Sequence, residues 1–184
     1  EKMKQLVLLV FFVALVGGSS FAQVHFTKNG KISFFSSTPL EDIKADNNQV
    51  ISVINPATGE IQFSLLNNAF HFKKALMEEH FNADYMESAK FPKSAFKGKI
   101  TNLGTVNFTA DGTYSVTVSG DLNIHGVTKT ITAPGTITIK AGKIAAAAKF
   151  KIRPKDYNIS IPAAVKDNIA ENLELTISCL YEKK

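Results

Sequence analysis

The sequence predicts an all-β protein, an antiparallel up-and-down barrel of about eight strands with one short helix inserted near residues 72–82. Three observations predict this fold. After residue 23 apolar residues recur at alternate positions, which is the period of a strand with one buried face. Short turns join most of these segments. Their number, about eight or nine, is enough for a sheet to close on itself and remove its exposed edges.

The first 22 residues are predicted to be a secretory signal peptide, separate from the fold. Lysines precede an unbroken apolar run over residues 6–16, and Ser20 and Ala22 place small residues where a signal peptidase cuts. The run is shorter than the roughly 20 residues that a helix needs to cross a bilayer. We therefore expect one mature domain over residues 23–184, exported to the periplasm or the extracellular space and without stable membrane insertion.

The N-terminal half of this domain contains an opening strand and a hairpin. The residues expected to face inward are Ile32 and Phe34 on the first strand, then Ile51, Val53, Ile61, Phe63 and Leu65 on a hairpin that turns over residues 55–59.

A helix interrupts the strands, because Phe72 and Leu76, and then Met77 and Phe81, are four residues apart. Pro92 limits how far it extends. Its apolar face either caps one end of the barrel or packs on the outer wall.

The C-terminal half is a series of alternating segments. Their inward positions are expected to be Phe96, Gly98 and Ile100; Val106, Phe108 and Ala110; after the turn Asp111-Gly112, the even positions from Tyr114 to Ile124; Ile137 and Ile139; after the turn Ala141-Gly142, the even positions from Ile144 to Ile152; and Leu173, Leu175 and Ile177. Cys179 continues the last series and is expected to be a small buried apolar residue. As the single cysteine it excludes an internal disulfide.

The interior is expected to be apolar, and either hollow or filled. The chain has 14 phenylalanines and no tryptophan. Small inward residues such as Gly98, Gly120, Ala146 and Ala148 allow a narrow tunnel, but the same residues also suit a packed core.

The sequence contains no motif typical of an enzyme or a metal site. It has no nucleophile elbow, phosphate-binding loop or dinucleotide-binding glycine pattern, so we expect no catalysis and no cofactor. The four histidines are not spaced as a metal-binding motif. We expect His125 to hold a turn by a structural hydrogen bond.

The net charge of +5 and the pI near 9.2 come almost entirely from scattered lysines, with Arg153 as the single arginine. This distribution does not favour nucleic acid as a partner. Five lysines near the helix either attract an anionic head group or only solvate the surface: Lys73, Lys74, Lys90, Lys93 and Lys97.

Two long blocks and one short element resemble the YceI-like family. Residues 75–98, ending in Lys90-Phe-Pro-Lys-Ser-Ala-Phe-Lys-Gly98, are similar to its "hF…sYpkatFkg" block. Val118-Ser-Gly-Asp-Leu-Asn-Ile-His-Gly-Val-Thr-Lys129 is similar to its "G-x-L-x-I-H-G-x-T" motif. Asp156-Tyr-Asn-Ile159 stands where the family has "D-Y-G-I", with Asn158 in place of the glycine. The family's opening motif is represented only by residues 31–34.

The resemblance implies an extended lipocalin-like barrel that binds long-chain isoprenoids or other amphiphilic lipids, such as quinones, fatty acids or their amides. We therefore predict a non-enzymatic exported lipid-binding protein. The alternatives are an interaction module with a filled barrel and an unrecognised barrel enzyme; a homodimer is left open. The candidate ligand-binding residues are Phe70, Phe72, Met77, Phe81, Phe96, Leu122, Ile124, Phe150 and Ile152.

Overall fold

The computed structural model describes residues 23–183, and the predicted signal peptide lies outside them. Within that range there are nine strands and one short α-helix. The strands are β1 His25–Ser37, β2 Asp42–Ile54, β3 Glu60–Leu66, β4 His71–Phe72, β5 Lys93–Ile100, β6 Gly112–Ile124, β7 Val127–Lys140, β8 Lys143–Ile152 and β9 Leu173–Lys183. The helix α1 spans Ala75–His80 and continues as a π-helical turn over Phe81–Tyr85. No helix in the described range is long and apolar enough to cross a bilayer.

Eight of these strands close into an antiparallel barrel in the order β1-β2-β3-β5-β6-β7-β8-β9, with β9 pairing back onto β1. The two-residue β4 extends the edge of β2, where Phe72 lies opposite Ala45. The predicted fold class, an antiparallel barrel of about eight strands with an inserted helix, is confirmed.

Two tight turns fix the registers of β6, β7 and β8. His125 and Gly126 have φ angles of 51° and 74°, and Ala141 and Gly142 have 49° and 73°. Positive φ at both central residues is the geometry of a two-residue type I′ hairpin, whose twist matches that of the strands. These turns therefore keep the even residues of β6 and β8 on the inner face.

One predicted strand is wrong. Val106 and Phe108 lie in a turn region that follows a short 3₁₀ segment, and β6 begins only at Gly112. The side chain of Asn107 accepts hydrogen bonds from the backbone and hydroxyl of Thr109, which stabilises a turn. Val106 and Phe108 still pack against the core. The alternation of apolar residues in this segment therefore comes from a loop with buried side chains and not from a strand.

The inward face of β2 also differs from the prediction. Ile51 is 51% exposed, whereas Val50, Ser52 and Ile54 are buried. The Ser52 hydroxyl lies 2.7 Å from the Tyr181 hydroxyl and donates to the Gln62 carbonyl at 2.9 Å. Because both hydrogen bonds satisfy its hydroxyl, Ser52 can occupy an inner position of β2. The alternation of apolar residues alone therefore predicts the wrong face of this strand.

One end of the barrel is filled by side chains. Its buried cluster consists of Ile54, Ile61, Ile100, Val116, Ile137, Ile139, Ile144, Ala146, Cys179 and Tyr181. The burial predicted for Cys179 is confirmed, and burial raises the pKa of its thiol to about 11. This filled end forms the floor of the cavity that occupies the other end of the barrel.

Candidate ligand-binding cavity

The other end of the barrel encloses a cavity of about 410 Å³. This volume is within the range of about 300–1,000 Å³ that is usual for small-molecule pockets. Ile61, Ile137 and Ala146 form its floor, since they belong both to the filled cluster and to the cavity wall. From Ala146 to Ile152 along β8 the wall rises by about 20 Å at about 3.3 Å per residue. The cavity is therefore elongated, and the barrel is hollow at this end.

All nine candidate residues named from the sequence line this cavity. Phe96, Leu122, Ile124, Phe150 and Ile152 are on the strand walls. The other four are in the segment that covers the cavity: Phe70 in a loop, Phe72 on β4, Met77 on α1 and Phe81 in the π-helical turn. That they contact a ligand stays a prediction.

Four phenylalanines build the cover. The Phe81 ring lies 5.1 to 5.6 Å, centroid to centroid, from the rings of Phe34, Phe70 and Phe72. Such offset and edge-to-face pairs are stabilising beyond the area that they bury. They fix α1 across the barrel end.

The helix caps the cavity rather than packing on the outer wall. Met77 and Phe81 line the cavity, whereas Leu76 is 62% exposed. The predicted helical pairing of Phe72 with Leu76 is wrong, because Phe72 belongs to β4 and the helix begins at Ala75. The β4 pairing with β2 supersedes the local helical spacing.

Two glycines allow the Phe96 ring to pack on the inner wall. Gly98 and Gly120 are direct cross-strand partners. A Cβ added to Gly98 would lie 2.4 Å from the Ser119 carbonyl oxygen and 2.5 Å from Cζ of Phe96. The Phe96 ring thus packs directly on the backbone of Gly98, and any side chain at position 98 would displace it.

A polar rim ties together three segments at the edge of the cavity. Glu41 accepts hydrogen bonds from Lys74 Nζ at 2.8 Å and from Asn168 Nδ2 at 3.3 Å. These hydrogen bonds hold the pKa of the Glu41 carboxyl below its ordinary value, and the one from Lys74 has the larger effect. The rim thereby joins the β1–β2 turn, the start of α1 and the segment before β9.

Sequence reasoning missed this rim and part of the wall. The three rim residues are far apart in sequence and carry no local signal. The missed apolar wall residues include Ile131 and Ala133 on β7 and Ile159 and Ile161 in the loop before β9. On β7 the sequence does contain the strand pattern, because Val127, Ile131 and Ala133 are all at odd positions. Lys129 lies between them at another odd position and interrupts the apolar series.

The two motif blocks are held by buried and partly buried polar contacts that lie away from the cavity floor. His125 Nε2 lies 2.7 Å from the Glu87 carboxylate, and its Nδ1 lies 3.2 Å from the Tyr157 carbonyl oxygen. The predicted structural hydrogen bond of His125 is confirmed. Asn67 donates to the Phe91 carbonyl at 2.7 Å and accepts from Ser94 at 2.8 Å. These contacts attach the cover to the barrel.

The five lysines near the helix do not line the cavity. Lys74 pairs with Glu41, and Lys90 lies 3.7 Å from Glu87. All five are exposed. Their positions therefore favour solvation over a head-group site.

Comparison with known proteins identifies the family. A family model described as the YceI-like domain matches residues 18–180. No curated protein matches the chain. A solved polyisoprenoid-binding domain from Saccharophagus degradans, implicated in plant cell wall breakdown, is similar with a TM-score of 0.75 and 15% identity, over 89% of this chain and 99% of that one.

Two further solved structures share the fold. Burkholderia cenocepacia BcnA has a TM-score of 0.70 and 16% identity, over 83% of this chain and 96% of that one. The Campylobacter jejuni YCEI protein has a TM-score of 0.54 and 16% identity, over 100% of this chain and 91% of that one. The family model covers most of the sequence, and the chain therefore belongs to the YceI-like family.

Proposed function

We propose that this protein is an exported, non-enzymatic carrier that holds a polyisoprenoid or a similar long apolar lipid inside its barrel. The observation that carries the proposal is the elongated apolar cavity of about 410 Å³. The polyisoprenoid-binding name of the similar Saccharophagus degradans domain supports the same ligand class. Export rests on the apolar N-terminal run and its small-residue flank.

Chain burial supplies enough free energy for binding. A buried methylene contributes about 0.8 kcal/mol, so a five-carbon isoprene unit contributes a few kcal/mol. Several units exceed the estimated 4–15 kcal/mol that association costs in lost freedom. We expect affinity to rise with chain length and to depend little on small chemical differences along the chain.

Few ionisable groups line the cavity wall, and burial raises the pKa of one of them, the Tyr85 hydroxyl, which keeps it neutral. The ionisable groups lining the cavity include Glu41 and His80 at the rim, and each is already paired. His80 Nδ1 lies 2.7 Å from the Asp84 carboxylate. The floor, by contrast, is apolar. This arrangement favours binding over catalysis, and the hollow interior disfavours a filled interaction module.

A matched pair of variants on α1 and the turn that follows it tests the proposal. Phe81→Asp places a carboxylate among three phenylalanine rings, and Leu76→Asp places one on the exposed face. We expect the affinity for a fluorescent geranylgeraniol analogue to fall at least about tenfold in Phe81→Asp, because an unpaired charge is costly in apolar surroundings. It should remain unchanged in Leu76→Asp.

Circular dichroism of both variants checks that the barrel is intact. Equal binding by wild type and a folded Phe81→Asp would contradict a ligand beneath the helix. Equal weakening by both variants would show an effect that is not local to the cavity.

A further inference from the structure

The barrel wall has a fissure between β7 and β8. The two strands pair from Lys140 opposite Lys143 to Gly135 opposite Ala148. Both continue further, as residues 127–134 and 149–152, but these described segments do not pair with each other. Pro134, which has no N–H to donate, lies where the ladder ends. Each strand stays paired on its other side, to β6 and to β9, so the opening is confined to this seam.

A second pocket of about 370 Å³ lies at the fissure. Ile131 and Ile152 line both this pocket and the main cavity. These two side chains, packed against the buried Tyr157 that also lines the outer pocket, stand between the barrel interior and that pocket. The outer pocket, in contrast to the interior, contains Lys129, Lys151 and Arg153.

Lys129 occupies an unusual position. It lies directly opposite the buried Leu122 and has the same parity as Ile131 and Ala133, which line the cavity. A charged residue on the inner parity of a barrel strand is costly unless its head reaches water. Lys129 is exposed, so its ammonium group leaves the interior at the fissure.

The positive charge of this pocket exceeds the negative charge around it. Lys129 and Lys151 have no ion-pair partner within 4.0 Å among the described residues, and Arg153 Nε donates to Asp156 at 2.8 Å. Three other nearby carboxylates are engaged elsewhere. Glu171, which adjoins the pocket residue Asn172 and acts on the Arg153 guanidinium, pairs with Lys155. Asp121 accepts a hydrogen bond from Thr130 at 2.6 Å, and Glu174 pairs with Lys149 at 2.7 Å.

We propose that this pocket binds the anionic head group of the lipid, a carboxylate or a phosphate, whose chain enters the cavity between Ile131 and Ile152. The inference rests on the proposed function, because the chain occupies the same cavity. It adds that the lipid is an acid, that it lies with its head at the β7–β8 seam, and that the rim at Glu41 is not its head-group site.

The test compares geranylgeranyl phosphate with geranylgeraniol, which share one chain. The variant is Lys129→Gln with Lys151→Gln. The matched control is Lys140→Gln with Lys143→Gln, a cross-strand lysine pair at the closed end of the same two strands. We expect the double variant to bind the phosphate about tenfold more weakly, which is near the upper limit for the loss of two exposed charge contacts. Its affinity for the alcohol should not change, and the control should match wild type for both.

The outcomes separate the two proposals. If wild type binds neither lipid, the carrier function fails and the head-group site fails with it. If wild type binds both, and the phosphate affinity is the same in the double variant, only the head-group site fails. Inorganic phosphate binding as tightly as the lipid phosphate would overturn the lipid head group in favour of a free anion.

Discussion

Filling the cavity near its floor should shorten the longest chain that the barrel accepts. Ala148 faces the cavity opposite Gly135, where an added Cβ on the glycine would lie 3.5 Å from the Ala148 Cβ. The substitution Ala148→Phe projects a ring into this space of small side chains. The ring would occupy the room that the end of a long chain needs.

The size of the effect follows from the displaced carbons. A phenyl ring takes the place of about six chain carbons, so a lipid reaching the floor loses up to about 5 kcal/mol at about 0.8 kcal/mol per methylene. Retraction of the chain recovers part of this, and we expect a loss of about 2.7 kcal/mol, or about a hundredfold in affinity. A chain too short to reach the floor should bind as before.

Competition binding with geraniol, farnesol and geranylgeraniol measures this cutoff. Ala145→Phe is the matched control, since Ala145 is on the same strand with the opposite parity and does not line the cavity. Weaker binding should appear only for the longest alcohols and only in Ala148→Phe. If a folded Ala148→Phe binds geranylgeraniol as tightly as wild type does, the end of the chain does not lie beside Ala148.

Two further predictions concern the barrel itself. Gly98→Ala should lower the free energy of unfolding, measured in urea, by about 1–3 kcal/mol, because the added Cβ overpacks against Ser119 and the Phe96 ring. Gly104→Ala is the control and should have little effect, since its added Cβ has no atom within 4 Å. Equal stabilities of the two variants would contradict the close approach at Gly98. Cys179, whose pKa burial raises to about 11, should not react with an aromatic disulfide reagent at pH 8 until the protein unfolds, and rapid reaction of the native protein would contradict its burial.

Alternation predicts this fold best where every inner position is apolar. The even residues of β8, from Ile144 to Ile152, face inward as expected because no polar side chain interrupts them. The prediction fails on β2, where Ser52 holds an inner position through its hydrogen bonds. It is incomplete on β7, where Lys129 interrupts the inner series and conceals half of the longest strand.

The sequence predicts the apolar wall of the cavity, but it does not predict the polar rim or the fissure between β7 and β8. Phenylalanines on the strands and the helix are recognisable because their periods place them on one face. The Glu41–Lys74–Asn168 rim depends on three loops meeting in space, and the fissure depends on where a ladder stops. Neither leaves a local pattern.

We propose above that the barrel holds a long apolar lipid. Mass spectrometry of an organic extract tests it most directly, using protein purified without detergent and a denatured, stripped sample as control. We expect a stoichiometric isoprenoid, quinone or fatty-acyl species in the native extract and its absence from the control. An empty native extract, together with no uptake of added polyprenyl lipid, would contradict the claim.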